Sequence, residues 1–276
     1  MKCLVTGGNG FIGSHLVDIL LQKKHKVTIF DKKKYHSKKK NLKIVYGDLK
    51  NTRQLKKAVK NQDFVFHFGG LSGINESLEK PLETAKTNIL STLKLLELSR
   101  QFKLKRFVYA SSVYVNSDQG GFYKSSKKAA EDYIEEYYKR YKLNFTILRF
   151  GTIYGTRANK ENTINNIIDN ANKFKKVIYQ GNKKNLREYI NVLDAAKAGE
   201  KIMSSKYKNQ FITITGKRKI PVTYLLTTIK KLLKLKKKII FKNKKQIGHY
   251  LKEPNTFKPR IGKKIMLDDY ISLEKG

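Results

Sequence analysis

The chain has 276 residues, 39% of them hydrophobic, enough to fill a substantial core and to exclude disorder as the default despite 30% charged residues. Lys and Arg total 60 against 22 Asp and Glu, a net charge of +38. The clusters at 32–34, 38–40, 236–238 and 244–245 fall in loops and helix flanks, the pattern of a solvated Lys-rich surface rather than of a nucleic-acid stripe. The single cysteine, Cys3, excludes an internal disulfide framework, and no apolar run is long enough to span a bilayer, so a cytoplasmic protein is expected.

In chain order, apolar runs predict strands over 3–6, 27–30, 44–46, 64–67, 107–111 and 145–149. Helical spacing predicts helices over 11–22, 52–59, 81–101 and 123–141, the third opening on Pro81 and carrying Ile89, Leu93 and Leu96 at helical intervals. Alternating strands and helices of this kind predict an α/β fold, a Rossmann doubly wound parallel sheet. Beyond 151 the rhythm loosens: helices at 163–175, 192–203 and 222–235, short strands at 177–179, 211–215 and 239–241, then a Lys-rich tail. The economical division is a nucleotide domain over 1–150 and a smaller α/β substrate lobe over 151–276, with exchange of segments between them left open.

The turn Thr6-Gly7-Gly8-Asn9-Gly10-Phe11-Ile12-Gly13 joins the first strand to the first helix. A tight turn, close approach to a pyrophosphate and close helix–sheet contact each call for a residue without Cβ, and the helix N-terminus offers N–H groups to phosphate. Asp31 ends the second strand at the distance expected of a carboxylate that binds the adenosine ribose and repels a 2′-phosphate, so NAD is favoured over NADP. Asp48, in Tyr46-Gly47-Asp48-Leu49, reads either as an acceptor for the adenine amino group or as a helix N-cap.

Ser111-Ser112 closes the fifth strand, at the edge where ligands sit in open α/β sheets. Tyr123 and Lys127 follow at i, i+4 on one helix face. A free phenol titrates near ~10 and is a poor base at neutral pH. A neighbouring ammonium and a positive nicotinamide ring would favour phenolate, so Tyr123 reads as a general base, with Ser112 holding the same substrate hydroxyl.

These motifs, together with His67-Phe68-Gly69-Gly70, Pro81…Asn88, Leu148-Arg149-Phe150-Gly151-Thr152-Ile153-Tyr154-Gly155 and Arg187-Glu188-Tyr189-Ile190…Asp194, resemble the NAD-dependent epimerase/dehydratase family. This is an extended short-chain dehydrogenase/reductase family that includes UDP-galactose 4-epimerase-like enzymes, and the resemblance covers nearly the whole chain. It implies that Gly7, Gly10, Phe11, Ile12, Gly13, Asp31, Asp48 and Leu49 hold the NAD adenosine and pyrophosphate. Phe68, Gly69, Gly70, Asn88, Tyr123 and Lys127 would follow along the ribose and nicotinamide. On the substrate side it implies Ser72, Ser112, Thr152 and Arg187, the last pairing with a nucleotide diphosphate through its guanidinium fork. No metal is implied.

Two departures narrow the reaction. Val113 and Tyr114 stand where the 4,6-dehydratases of the family carry an Asp-Glu pair and its decarboxylases a Glu, which argues against both reactions. The stretch from Ser112 to Tyr123 is also short, so the sugar pocket is expected to be more open or shaped for another sugar. The expectation is therefore an NAD-dependent nucleotide-sugar epimerase working through a transient keto-sugar. An NAD(P)-dependent ketoreductase or dehydrogenase is the alternative, and an RNA-binding or regulatory member of the family the alternative of another class. A homodimer is expected through helices 81–101 and 123–141, the second carrying Tyr133, Tyr137, Tyr138 and Tyr141.

Overall fold

The computed structural model describes residues 1–33, 39–159, 162–242 and 249. Lys34, Lys38, Lys244, Lys245 and the Lys-rich tail after 250 lie outside the described residues. The first half builds a parallel sheet in βα units: β1 (Lys2–Thr6), α1 (Phe11–Gln22), β2 (Lys26–Asp31), β3 (Leu42–Tyr46), α2 (Thr52–Val59) and β4 (Phe64–His67). Then come α3 (Ile74–Glu79), α4 (Pro81–Thr84), α5 (Ser91–Gln101), β5 (Arg106–Ser112), α6 (Gly121–Tyr141) and β6 (Phe145–Phe150). Strands such as Cys3-Leu4-Val5 and Phe145–Phe150 are buried on both faces, which is why they read as unbroken apolar runs rather than alternating ones.

The small elements follow: β7 (Thr152–Tyr154), α7 (Thr163–Phe174), β8 (Ile178–Gln180), β9 (Leu186–Arg187), β10 (Tyr189–Asn191) and α8 (Val192–Lys201). The chain ends its described part with β11 (Gln210–Ile214), β12 (Ile220–Pro221), α9 (Val222–Leu232) and β13 (Ile240–Lys242). The main sheet has seven strands in the order β11-β6-β5-β4-β1-β2-β3, one more than the six expected. The seventh, β11, comes from the half assigned to the second lobe and pairs in parallel with β6, Phe211 beside Ile147. Helix α8 also returns to this sheet: its Ala195, Ala196 and Ala198 bury in one core with Leu16 and Leu20 of α1. Both segments lie after residue 150 in the chain and pack with the main sheet.

The opposite face of the sheet is covered by α2, α5 and α6 around Leu55, Leu95, Leu96, Phe107 and Ile134. A third core, with Tyr154, Ile164, Ile167, Leu225 and Leu226, belongs to the small lobe. His15 on α1 ties the lobe down through a hydrogen bond to the Thr156 carbonyl at 3.0 Å.

The helix expected over 81–101 is interrupted. Pro81 opens α4 as predicted, but Ala85–Leu90 is a wider turn, and the Ser91 amide reaches back five residues to the Lys86 carbonyl. Such a turn inserts an extra residue and re-aims the side chains around it; here it buries Asn88. Helix α3 was not foreseen because six residues are too few to show a helical period, and only Ile74 and Ser77 of it are buried. Of the tyrosine stripe on α6, Tyr137 and Tyr138 pack on the core while Tyr133 and Tyr141 face outward.

Candidate active site

In the order of the main sheet the chain reverses direction between β1 and β4, and the loops leaving those strands lie against each other at the switch point. Gly7 takes φ +67°, and a Cβ there would stand 2.7 Å from the Gly69 backbone. A Cβ on Gly13 would come within 2.2 Å of the Gly7 carbonyl oxygen, so the first turn of α1 packs directly on the loop. Gly10 caps α1 with no side-chain hydrogen bond and no acid follows in the first turn, which leaves the helix N-terminus suited to phosphate. Phe11 and Ile12, in that first turn, pack against the core shared with α8.

Asp31 sits at the end of β2 as expected. Its carboxylate accepts from the Asn9 amide at 3.0 Å and the Lys33 amide at 2.9 Å, so it braces the glycine loop. Asp48 is exposed and accepts from the Lys50 amide at 2.8 Å. The N-cap of α2 is Asn51, which accepts from the Gln54 amide at 3.1 Å. The capping alternative for Asp48 therefore falls: Asn51 already fills the position, three residues nearer the helix. Leu49 lies against the Gly69 loop, 3.0 Å from where a Cβ would project.

Beneath the loop 68–71 runs a buried polar chain. The Gly69 amide donates to Thr6 Oγ1, Thr6 Oγ1 meets His67 Nδ1 at 2.7 Å, and His67 Nε2 meets Thr92 Oγ1 at 3.0 Å. Burial, with Lys127 nearby, pushes the His67 imidazole down to about 3, so the ring is neutral. Asn88 latches the same loop to α6: its amide oxygen accepts from the Leu71 N–H, and its NH2 donates to the Leu71 carbonyl and to Ser126 Oγ. Asn88 therefore positions the loop, and Gly70 packs against its side chain with Lys127 just beyond. Ser72 is exposed on the rim, before α3.

Ser112 ends β5 buried, and its Oγ accepts from the Tyr114 amide at 3.3 Å as the chain turns through 113–116. Gly120 (φ +102°) and Gly121 (φ +50°) then swing the backbone into α6, which places Tyr123 in the first turn. Left-handed φ at two successive residues is a requirement that side chains meet poorly. Lys127 is buried one turn on, its Nζ donating to the Ala110 carbonyl at 2.8 Å and lying 6.0 Å from the Tyr123 ring centroid. The structure thus brings Ser112, Tyr123 and Lys127 together at the strand edge.

Burial acts on both the phenol and the lysine. Burial pushes the Tyr123 phenol above its ordinary value, and the hydrogen bond from Ser112 only partly offsets this. Lys127 is itself pushed down to about 8 by burial, against the pull of Glu131. Glu131, wholly buried, sits one turn beyond Lys127; it accepts from Ser111 Oγ and pairs with both Arg149 Nε and Arg149 Nη2. Sequence reading missed this Glu131–Arg149 support, although the i, i+4 spacing from Lys127 was its available signal.

Two of the residues expected on the substrate side, Thr152 and Arg187, lie in the small lobe. Thr152 opens β7, half-buried and paired with Tyr189 of β10. Arg187 lies on β9 opposite Ile220 of β12, and its Nη1 donates to the Leu186 carbonyl at 2.9 Å. Among the described residues no cluster of His, Cys, Asp and Glu is arranged to hold a metal, and no helix is long and apolar enough to cross a membrane.

Comparison with known proteins gives a consistent picture. The NAD dependent epimerase/dehydratase family model matches residues 3–214. A Methanocaldococcus jannaschii protein with the provisional name UDP-glucose 4-epimerase is 29% identical over 82% of this chain and 81% of its own length. The UDP-N-acetyl-alpha-D-glucosaminuronate decarboxylase of Bacillus cytotoxicus is 30% identical over 77% of this chain and 74% of its own. Among solved structures, the UDP-N-acetylglucosamine 4-epimerase of Methanobrevibacter ruminantium, in complex with UDP-N-acetylmuramic acid, superposes with a TM-score of 0.83. That structure is 26% identical and covers 94% of this chain and 92% of its own.

Proposed function

The chain belongs to the NAD dependent epimerase/dehydratase family, with NAD as its cofactor, and from that premise we propose that it is a nucleotide-sugar epimerase acting through a transient keto-sugar, with Tyr123 as the base. The glycine cradle suits the cofactor: Gly7 and Gly13 are positions that a Cβ would block, and Asp31 stands where ribose hydroxyls would be met. When bound, oxidised nicotinamide supplies a hydride acceptor and a positive charge. Ser112 holds the sugar hydroxyl by hydrogen bonding while Tyr123 takes its proton. Lys127 contributes its charge from the floor of the site, held there by the Ala110 carbonyl and backed by Glu131. Burial holds the Tyr123 phenol above its ordinary value, and added positive charge beside it would favour the phenolate.

The observation that carries the reading is the convergence of Ser112, Tyr123 and Lys127 at the end of β5, with Val113 and Tyr114 as the next residues. Neither carries a carboxyl, which counts against water elimination and decarboxylation through that position. The ketoreductase alternative uses the same three residues with hydride passing one way. The test is a panel of UDP-, GDP- and dTDP-sugars with NAD+, products resolved by chromatography. An epimer formed without net NADH supports the reading, and stoichiometric oxidation or reduction replaces it with the alternative. Tyr123→Phe is expected to lower kcat by about 10²–10⁴-fold with NAD binding intact; full turnover in that variant would remove Tyr123 from its role.

A further inference from the structure

One contact in the cleft joins residues far apart in sequence and has no part in the chemistry above. The Tyr114 hydroxyl meets His249 Nδ1 at 3.0 Å across 135 residues of sequence, and the two rings cross edge to face with centroids 6.3 Å apart. Tyr114 is at the same time a ring neighbour of Tyr123, edge to face at 6.3 Å, and its backbone amide is tied to Ser112. Gly120 presses on its other side, where a Cβ would stand 2.8 Å from Cδ1. The ring of Tyr114 is thus fixed between the catalytic tyrosine and His249. His249 is half-buried, and its charged neighbour is Arg187: burial and that guanidinium both hold the imidazole below its ordinary value. A neutral imidazole accepts at one nitrogen and donates from the other. When the Tyr114 O–H donates to Nδ1 the ring proton sits on Nε2, and when Nδ1–H donates to the hydroxyl the proton sits on Nδ1.

We propose that Tyr114 and His249 form a substrate-binding pair that works with Arg187 on the diphosphate of a nucleotide sugar, Tyr114 fixing the tautomer in which His249 donates from Nε2 to a phosphoryl oxygen. This rests on the nucleotide-sugar reading and adds to it two residues and a role for each. A donor beside a cation is suited to an anionic oxygen, and Tyr114 joins the pair to Tyr123 through its ring contact. The pair makes the tautomer part of recognition: without the Tyr114 hydroxyl, the ring is free to carry its proton on Nδ1 and to lose the contact.

The test uses the full chain saturated with NAD, titrated calorimetrically with UDP, dTDP and GDP as probes of the diphosphate on any base. His249→Ala is expected to weaken the diphosphate that binds by about tenfold or more, as for a hydrogen bond to a charged group, and Tyr114→Phe by a smaller factor of about three to ten. His249→Gln, which restores a donor, should recover most of the loss, with NAD affinity and melting temperature unchanged throughout. Variants that bind as the wild type does would overturn the pair, as would losses that also appear in NAD affinity or melting temperature. If the wild type binds NAD but none of the three diphosphates, the nucleotide-sugar reading fails, and the pair fails with it.

Discussion

Around the glycine turn the chain packs backbone on backbone: Gly7 against Gly69, Gly13 against the Gly7 carbonyl, with Asp31 and Thr6 tying loop amides in place. At the other end of the cleft the groups are side chains on short supports, with Arg187 on a two-residue strand, Tyr114 in a single turn and His249 brought in from near the end of the described chain. The cofactor end therefore tolerates almost no change in shape, whereas the substrate end can exchange one side chain for another without moving the scaffold.

The largest effect that tests the division is at Gly13. A side chain there meets a carbonyl oxygen fixed by the loop, with no flexible partner to yield. Gly13→Val is expected to abolish measurable NAD binding and to cost several kcal/mol of stability, as a forced shift of packed backbone does. Fluorescence titration with NADH and thermal melting read both. Near-normal NAD binding in this variant would show that the cofactor end has slack after all.

A smaller effect, with a defined pH window, lies below the same loop. His67 titrates at about 3 in the folded protein and near the ordinary 6.5 once unfolded. As pH falls from 6.5 toward 3 the unfolded chain takes up a proton that the folded chain refuses, so stability drops through that window, and above it His67 contributes nothing to pH dependence. The drop is on the order of a few kcal/mol. Asp18, held low by Lys39 and Arg157, and Asp63, held low by the Lys2 amide and Lys105, also cost stability when protonated at acid pH, so the wild-type curve alone is ambiguous. The difference between wild type and His67→Gln in chemical denaturation at pH 7, 5 and 4 isolates the imidazole: the variant's stability should fall less steeply. Parallel curves would mean that the Thr6–His67–Thr92 chain admits the proton.

The same division explains what could be read from sequence. Glycines at Gly7, Gly10 and Gly13, the strand-end Ser112 and the Tyr123/Lys127 spacing are local signals, and each was visible because its chemistry is fixed within one turn of chain. Helices α1 and α2 matched their predicted bounds to the residue for the same reason. Contacts made by topology left no such trace. The strand expected over 211–215 joins the main sheet, a pairing that Phe211, Ile212 and Ile214 do not announce by themselves. The phenol's raised value was missed because burial, which outweighs the lysine, is a property of the folded site. The Tyr114–His249 contact spans 135 residues and has no spacing rule at all.

The finest test of the comparison is Arg187→Lys, which keeps a charge at the substrate end and removes only its shape. Arg187 is half-buried on β9, its Nη1 committed to the Leu186 carbonyl, so the guanidinium is oriented before any ligand arrives. A planar fork held this way can give two parallel hydrogen bonds to a diphosphate, whereas an ammonium offers a point charge on a flexible stem. Loss of one charge-assisted bond predicts about tenfold weaker binding of the nucleotide sugar, seen as a higher KM with kcat and NAD affinity unchanged. Salt separates shape from charge further: with 60 Lys and Arg in the chain, added salt should weaken the substrate in both proteins by a similar factor, because the general field survives the substitution. If Arg187→Lys matched the wild type at every salt concentration, the field alone would be holding the diphosphate. If NAD affinity fell alongside, the two ends of the cleft would be mechanically joined, and the contrast between a rigid cofactor end and an exchangeable substrate end would have to be given up.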